Sequence, residues 1–239
     1  MTGGKGYDWA DYYGAYDSVE VDLKGGYSAG YDGRDTLIKI DNIRGSRHDD
    51  VLAGDDKDNR IRGMQGDDLI DGRGGYDLAD YRNASGGVVV NLELGRASGA
   101  DGNDALRNME GIRGSSHNDI LTGDENDNFF ESFGGDDEMT GGAGSDRFSF
   151  SNGSGRDTIT DFDASGSNPD IIELYIDTIT GFKDLFNNHM AQVGDNVEIY
   201  GLTGEEIVLL DVNITELSAQ KLRKFTCEKF TSCRTQSTS

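Results

Sequence analysis

The stretch Gly63-Met-Gln-Gly66-Asp-Asp68-Leu-Ile70-Asp decides the fold, and Gly72-Arg-Gly-Gly75-Tyr-Asp77-Leu-Ala79-Asp repeats its pattern nine residues later. Glycine stands at positions one and four, aspartate at six and an apolar residue at eight. Glycine enters φ > 0 without a steric penalty, so such a loop turns sharply with its carbonyls pointing inward. The aspartate adds a carboxylate at the end of the turn. The extended residues that follow send the apolar side chain of position eight into an interior.

Working outward, glycine recurs every nine residues at Gly45, Gly54, Gly63 and Gly72. It recurs again at Gly114, Gly123 and Gly141, with Ser132 in the remaining slot. The rows that open at Gly3, Gly30 and Gly99 fit the same template. A longer period lies over the short one: Tyr7 aligns with Tyr76, an offset of 69, and 31 of the 69 pairs up to Gly75 and Gly144 are identical. The chain therefore reads as two tandem long units followed by a different C-terminal part. Within each unit, Val19, Val21 and Leu23, then Val88, Val90 and Leu92, alternate with polar residues. Period two means strands with one buried face; these read as longer strands stacked on the same core and ending in the Gly30 and Gly99 loops.

Composition sets the chemistry. Among 239 residues there are 35 glycines and one proline, and 45 acidic side chains against 22 basic ones leave a net charge of −23. Low hydrophobicity with this charge describes either a disordered chain or a folded one whose carboxylates hold cations. The repeats select the second. Two rows make one full coil, so sixth positions 18 apart lie above one another: Asp50 and Asp68, Asn59 and Asp77, Asp119 and Asp137, Asn128 and Asp146. A site between stacked loops offers two side-chain oxygens plus several carbonyls, a hard oxygen set that suits calcium better than magnesium or zinc. The nonapeptide itself reads as a calcium-binding parallel β-helix. Nucleic acid is excluded as a partner because its phosphates would be repelled. Neither a signal-peptide-like N-terminal stretch nor a run of transmembrane length is found in the sequence.

These rows resemble the RTX (repeats-in-toxin, hemolysin-type) calcium-binding repeats of secreted bacterial proteins, over roughly residues 3–163. The resemblance implies an all-β, right-handed parallel β-roll (a β-solenoid) with roughly four to eight calcium ions held between successive loops. Carried over position by position, it implies ligands from the sixth positions Asp8, Asp35, Asp50, Asn59, Asp68, Asp77, Asp104, Asp119, Asn128, Asp137, Asp146 and Asp157. It implies early-loop carbonyls from Gly3, Gly30, Asp32, Gly45, Arg47, Gly63, Gly66, Gly72, Gly74 and Gly75. In the second half it implies Gly99, Asp101, Gly114, Ser116, Gly134, Gly135, Gly141, Gly144 and Gly155, with Asp161 and Asp163 at the exit. Departures are visible. Asn59 and Asn128 are neutral, and position four is His48, Lys57, His117 or Asn126 in some rows. Asp49, Asp67 and Asp136, at position five, read as solvated. Trp9, Tyr7, Tyr12 and Tyr76 read as packing for the first coils.

The C-terminal third reads differently. Gly153-Ser-Gly155-Arg-Asp157-Thr-Ile159-Thr-Asp161-Phe-Asp163 resembles the last loop and exit strand of the serralysin-type C-terminal domain. Beyond it, a strand is expected at Ile171–Leu174, a helix carrying Phe182, Leu185, Phe186 and Met190, a hairpin of Val197–Tyr200 with Ile207–Leu210, and a short helix around Thr215–Leu222. The domain expectation is a roll over 1–163, a β-rich cap and secretion-signal region over 164–220, and a mobile basic tail over 221–239. That tail carries Cys227 and Cys233, for which a disulfide or a metal half-site is the alternative.

The leading functional expectation is a module that folds on meeting extracellular calcium and supports type I secretion without a cleaved N-terminal signal. The partners expected are calcium, the secretion machinery and, as an alternative, a polysaccharide. A second reading makes the chain the accessory part of a secreted protease, lipase or alginate epimerase. No catalytic site is expected: neither a His-Glu-x-x-His zinc helix, nor a Gly-x-Ser-x-Gly elbow, nor a cysteine paired with a histidine is expected in the chain. A third reading, an adhesive or polysaccharide-binding module, is opposed by the −23 charge. A row of basic or aromatic side chains on one strand face would favour it, and the candidates Arg60, Arg62, Arg73, Arg82 and Arg113 are scattered in sequence.

Overall fold

Because alternate side chains of a strand point to opposite faces, each three-residue strand of the repeat offers one residue to the interior. In the computed structural model that residue is the apolar one of position eight. The structure describes residues 1–31, 33–165, 168–201, 204–227 and 233–235, with side chains described as far as Arg223. Two units are distinguished, Met1–Ser116 and His117–Ser239.

In the first unit the strands Trp9–Asp11, Asn42–Arg44, Arg60–Arg62, Leu78–Asp80 and Gly111–Arg113 run parallel in one sheet. Register aligns Ala10, Ile43, Ile61, Ala79 and Ile112 in a column, and all five are 0% exposed. The facing sheet stacks Val19–Asp22, Val51–Ala53, Leu69–Asp71 and Gly102–Arg107 in parallel, which aligns Val21, Leu52, Ile70 and Leu106 as a second buried column. Burying an aliphatic side chain of this size contributes about 1.5–3 kcal/mol, so two such columns supply the core of a thin roll. The fold is a parallel β-roll, as expected.

The alternating stretches differ from expectation. Val19–Asp22 pairs antiparallel with Tyr27–Gly30, which pairs antiparallel with Gly33–Thr36. Likewise Val88–Asn91, Arg96–Gly99 and Gly102–Arg107 form an antiparallel meander. The unit Met1–Ser116 thus interrupts its parallel coils with two three-stranded excursions, and the Gly30 and Gly99 loops are hairpin turns inside them. Period two is the same for parallel and antiparallel strands, so the alternation alone carried no sign of strand direction.

In the second unit Phe129–Glu131, Arg147–Ser151, Ile171–Tyr175 and Leu222–Cys227 form one parallel stack. Ile120–Thr122, Glu138–Thr140, Arg156–Ile159 and Glu206–Leu209 form the other. Phe130 and Phe148 fill two successive rungs of the first, ring centroids 5.0 Å apart and 9° from parallel. Parallel stacking therefore runs on past Asp163 into the region expected to be a cap. The strand Ile171–Tyr175 and the helix Phe182–Asn188 lie where the sequence placed them, although Met190 opens a strand, Met190–Val193. Asn196–Tyr200 pairs antiparallel with Glu206–Leu209, which is the expected hairpin.

Two expectations are corrected here. In place of a helix around Thr215–Leu222 there is a single 3₁₀ turn, Ile214–Glu216, followed by the strand Leu222–Cys227. Leu222 is buried and joins the sheet in register with Ile172, so the expected mobile tail begins as a strand of the roll. Backbone pairing sets Cys227 opposite Cys233; their side chains lie outside the described residues.

Candidate calcium loops

Each coil has two loops, one at each edge of the roll, and the sixth-position side chains form a ladder along each edge. At one edge of the first unit, Asp50 Oδ1 accepts from the amide of Val19 (2.8 Å), Asp68 Oδ1 from that of Asp50 (2.8 Å) and Asp104 Oδ1 from that of Asp68 (3.0 Å). At the other edge, Asp77 Oδ1 accepts from the Asn59 amide at 2.7 Å, and Glu110 Oε2 from the Asp77 amide at 2.7 Å. The second unit repeats this: Asp137 accepts from Asp119, Asp157 from Asp137, Asp146 from Asn128 and Asp170 from Asp146, at 2.8, 3.2, 2.8 and 2.8 Å. One carboxylate oxygen thus holds the preceding coil, while the other turns into its own loop.

That second oxygen is the chemical signal. Asp68 Oδ2 and Asp77 Oδ2 are buried and have no hydrogen-bond donor. Burial pushes the Asp68 carboxyl up to about 8, with the Asp104 and Asp50 charges adding to it, and the Asp77 carboxyl up to about 7. Burial likewise raises Asp146 to about 7, Asp157 to about 8 and Asp170 to about 6. A buried carboxylate lacking a counter-charge is costly. A hard cation in the loop supplies the missing charge, so the residues present fit calcium.

The glycines let the backbone close on these carboxylates and on the neighbouring carbonyls. A Cβ at Gly45 would lie 2.5 Å from the Gly63 carbonyl, and one at Gly63, Gly72 or Gly141 would overlap the carboxylate of Asp68, Asp77 or Asp146. Gly66 has φ +121°, and a Cβ there would lie 2.6 Å from the His48 carbonyl carbon and 2.7 Å from its oxygen. Gly75, Gly135 and Gly144 repeat that approach on Lys57, His117 and Asn126. Position four of one row thus packs on position four of the row below, which explains why His48, Lys57, His117 and Asn126 are tolerated there.

The remaining expected residues fall into three groups. Gly3 packs on Asp8 and the Lys39 carbonyl, and Asp8 accepts from the Gly4 amide at 2.7 Å. Gly74 donates to the Asp55 carbonyl (3.2 Å), Gly134 faces that of Gly153, Gly155 packs on Gly135, and Gly114 is buried while Ser116 is exposed. Other carboxylates are taken up by donors. Asp101 accepts from the Ser85 amide and hydroxyl, Asp161 from the Gly141 and Gly142 amides, and Asp163 from the Ser165 amide and hydroxyl. Asp35 accepts from Tyr12 at 3.2 Å on Gly33–Thr36, the outer strand of its meander; Gly30 and Gly99 sit in the hairpins. The Arg47 guanidinium donates to Tyr13 Oη at 2.5 Å. Asp32 lies outside the described residues.

The asparagine rows are closed differently. Asn59 Nδ2 donates to the Asp41 carbonyl at 2.9 Å and to Asp55 Oδ1 at 3.3 Å, and Asn59 Oδ1 accepts from the Asp55 amide at 2.7 Å. Here an amide supplies the donor. Sequence reading missed Asp41, Glu110 and Asp170, which receive the amides of Asp8, Asp77 and Asp146. Each precedes an apolar residue by two, in Asp41-Asn-Ile43, Glu110-Gly-Ile112 and Asp170-Ile-Ile172. That is the second half of the nonapeptide without its glycines, and it is the signal that finds them.

Among the described residues no three or more His, Cys, Asp or Glu side chains converge as a metal cluster, and no helix is long and apolar enough to cross a membrane. Gly26-Tyr27-Ser28-Ala29-Gly30 does carry the Gly-x-Ser-x-Gly spacing, contrary to expectation. It lies on an antiparallel strand rather than a strand-to-helix turn, and Ser28 is buried against the hydroxyl of Tyr12 at 2.6 Å. The spacing has none of the context of a nucleophile elbow.

Residues 44–79 and 113–148 match the family model of the RTX calcium-binding nonapeptide repeat. These rows are RTX repeats. The two matches sit 69 residues apart, so each long unit carries one block, and the repeats themselves are a calcium-binding structural module. A comparison with the curated proteins finds no match. Among solved structures, the chain is similar to the extracellular lipase LipA from Serratia marcescens, with 16% identity and a TM-score of 0.38. The alignment covers 76% of this chain and 39% of that one, so the chain spans about two-fifths of that lipase.

Proposed function

We infer that this RTX chain is a calcium-driven folding module of a secreted bacterial protein, and that it carries no catalytic site. The observation that supports this most is the pair of buried, donorless oxygens, Asp68 Oδ2 and Asp77 Oδ2, each closed against a glycine, Gly63 or Gly72, where a Cβ would overlap the carboxylate. Where free calcium is scarce, the ionised loops repel one another and the chain stays unfolded, in a form suited to a narrow type I export channel. Outside the cell, calcium neutralises the loops, and its binding free energy becomes folding free energy. Neighbouring coils share ladder residues, so folding is cooperative, as in other stacked-repeat proteins.

The ligands in this reading are the sixth-position carboxylates with the early-loop carbonyls. Extracellular localisation follows from the same reading, because only there is calcium abundant enough to fill such loops. The module would then serve whatever polypeptide is exported with it. Native mass spectrometry of the calcium-loaded chain tests this. Four to eight retained ions, fewer in an Asp68→Asn, Asp77→Asn variant, are expected; an ion count near zero, or unchanged in the variant, would overturn it.

A further inference from the structure

We propose that the exposed strand Gly33–Thr36 is a docking edge for one further acidic nonapeptide row, added in parallel register by a partner polypeptide. The internal repeat of the chain shows why. Gly33–Thr36 ends its sheet, and all four of its residues are exposed. At the offset of 69 it corresponds to the first part of Gly102–Arg107. That strand is covered by the row that opens at Gly63, whose strand Leu69–Asp71 runs parallel to it. The same surface thus occurs twice within unit Met1–Ser116, once covered and once open.

The covered copy defines what the open one holds out. In it, Asp104 Oδ1 accepts from the Asp68 amide at 3.0 Å, the Ala105 amide donates to the Asp68 carbonyl at 2.8 Å, and the Asn103 amide donates to Asp67 Oδ1 at 2.8 Å. Gly102 approaches so closely that a Cβ on it would overlap the Gly66 carbonyl oxygen. The open copy matches these groups one for one. Asp35 Oδ2 accepts from the Tyr12 hydroxyl as Asp104 Oδ2 does from that of Tyr81, which leaves Asp35 Oδ1 for an incoming amide. The Leu37 amide donates inward to the Gly26 carbonyl at 2.8 Å. Donors alternate along an antiparallel strand, so the Thr36 and Arg34 amides point off the edge. At Gly33, φ is +115° and a Cβ would meet nothing within 4 Å, so the approach that Gly66 makes in the other copy is open here.

The chain itself begins to fill this seat. Thr2 bridges Ile38 in parallel and Gly3 donates to the Ile38 carbonyl at 2.8 Å, just as Asp71 pairs with Arg107 and Gly72 donates to its carbonyl at 3.0 Å. Met1 therefore stands where Ile70 stands in the other copy, yet it is 43% exposed against 2%. A full row, with its own apolar residue at position eight, takes over that slot and covers the rest of the edge. Unpaired edges accept added strands through main-chain bonds alone; two features select a repeat row. The open approach at Gly33 fits a turn with glycine at position four. Arg34 replaces Asn103, whose side chain meets Asp67 at 3.2 Å, so the edge carries a cation where the incoming row brings its position-five carboxylate. Arg34 is exposed and rests over the Tyr27 ring, 5.0 Å from its centroid.

The test uses the full calcium-loaded chain, its folding checked by circular dichroism, and a synthetic peptide with the sequence of residues 62–72. Amide hydrogen exchange followed by NMR reads the edge residue by residue. Near saturation, the Thr36 and Arg34 amides are expected to exchange about tenfold more slowly. The same peptide carrying Asp68→Pro has no amide for Asp35 and is expected to bind about tenfold more weakly. Arg34→Glu in the chain is expected to weaken binding by a similar factor, and Asp67→Lys in the peptide to restore it. Unchanged exchange at Thr36 with millimolar peptide, protection confined to other strands, or equal protection by the Asp68→Pro peptide would overturn the proposal. Binding indifferent to Arg34→Glu would overturn it in favour of edge pairing without regard to sequence.

Discussion

Replacing Asp68 with asparagine should have opposite effects with and without calcium. The carboxyl is raised from its ordinary 3.8 to about 8 by burial and by the Asp104 and Asp50 charges. At pH 7 the unfolded chain ionises this group while the metal-free fold keeps it protonated. The mismatch spans roughly three pH units at about 1.4 kcal/mol each, a ceiling of about 4 kcal/mol, lowered by any water that enters the loop. Asparagine is nearly isosteric, keeps an oxygen for the Asp50 amide and carries no charge to desolvate. Asn59 and Asn128 already occupy the same slot in other rows. In chelator, the variant should therefore refold at a lower concentration of a stabilising osmolyte such as trimethylamine oxide, which drives burial without metal. In a calcium titration it should be the weaker protein, with its midpoint about tenfold higher because a charged ligand is gone. Both readouts come from far-UV circular dichroism on one preparation. An Asp68→Asn chain destabilised equally in chelator and in calcium would refute the reasoning, because the buried charge would then not be what the metal relieves.

Acidity should act on the metal-free chain in the direction of these shifts. Folded-state values near 7 for Asp77 and Asp146 and near 8 for Asp68 lie above the ordinary 3.8, so their contribution is full below about pH 4 and is lost as pH rises through 7 and 8. Osmolyte refolding in chelator should be easier at pH 5 than at pH 8, whereas calcium affinity should fall at pH 5 as protons compete for the loops. Gly66→Ala should cost about 2–4 kcal/mol in urea unfolding of the calcium-loaded chain, since φ is +121° and the new Cβ meets His48 backbone. Gly14→Ala, where a Cβ meets nothing within 4 Å, should change stability by less than about 0.5 kcal/mol. Phe148→Ala removes a fully buried ring stacked on Phe130, and should cost about 3–5 kcal/mol by the same assay.

The parallel roll was legible because one short pattern specifies both loop and strand. Position eight gave the inward residues Leu52, Ile61, Ile70, Leu121, Phe130 and Phe148, and every one is buried. Strand direction was not legible in Val19–Asp22 or Val88–Asn91, because alternation is blind to it. The strand at Leu222 was hidden for another reason: Leu222 is buried in register with Ile172, within a stretch whose basic composition resembles a tail. At the loops, spacing identified the ladder residues Asp50, Asp68 and Asp77. It missed Asp41, Glu110 and Asp170 because they terminate ladders without the glycines that advertise a row.

The most direct test of the account is far-UV circular dichroism of the chelated chain during a calcium titration, with magnesium as control. A weak β signal in chelator, followed by a cooperative gain with calcium and none with magnesium, is the predicted result. A full β spectrum in chelator, unchanged by calcium, would contradict the claim that the metal drives the fold.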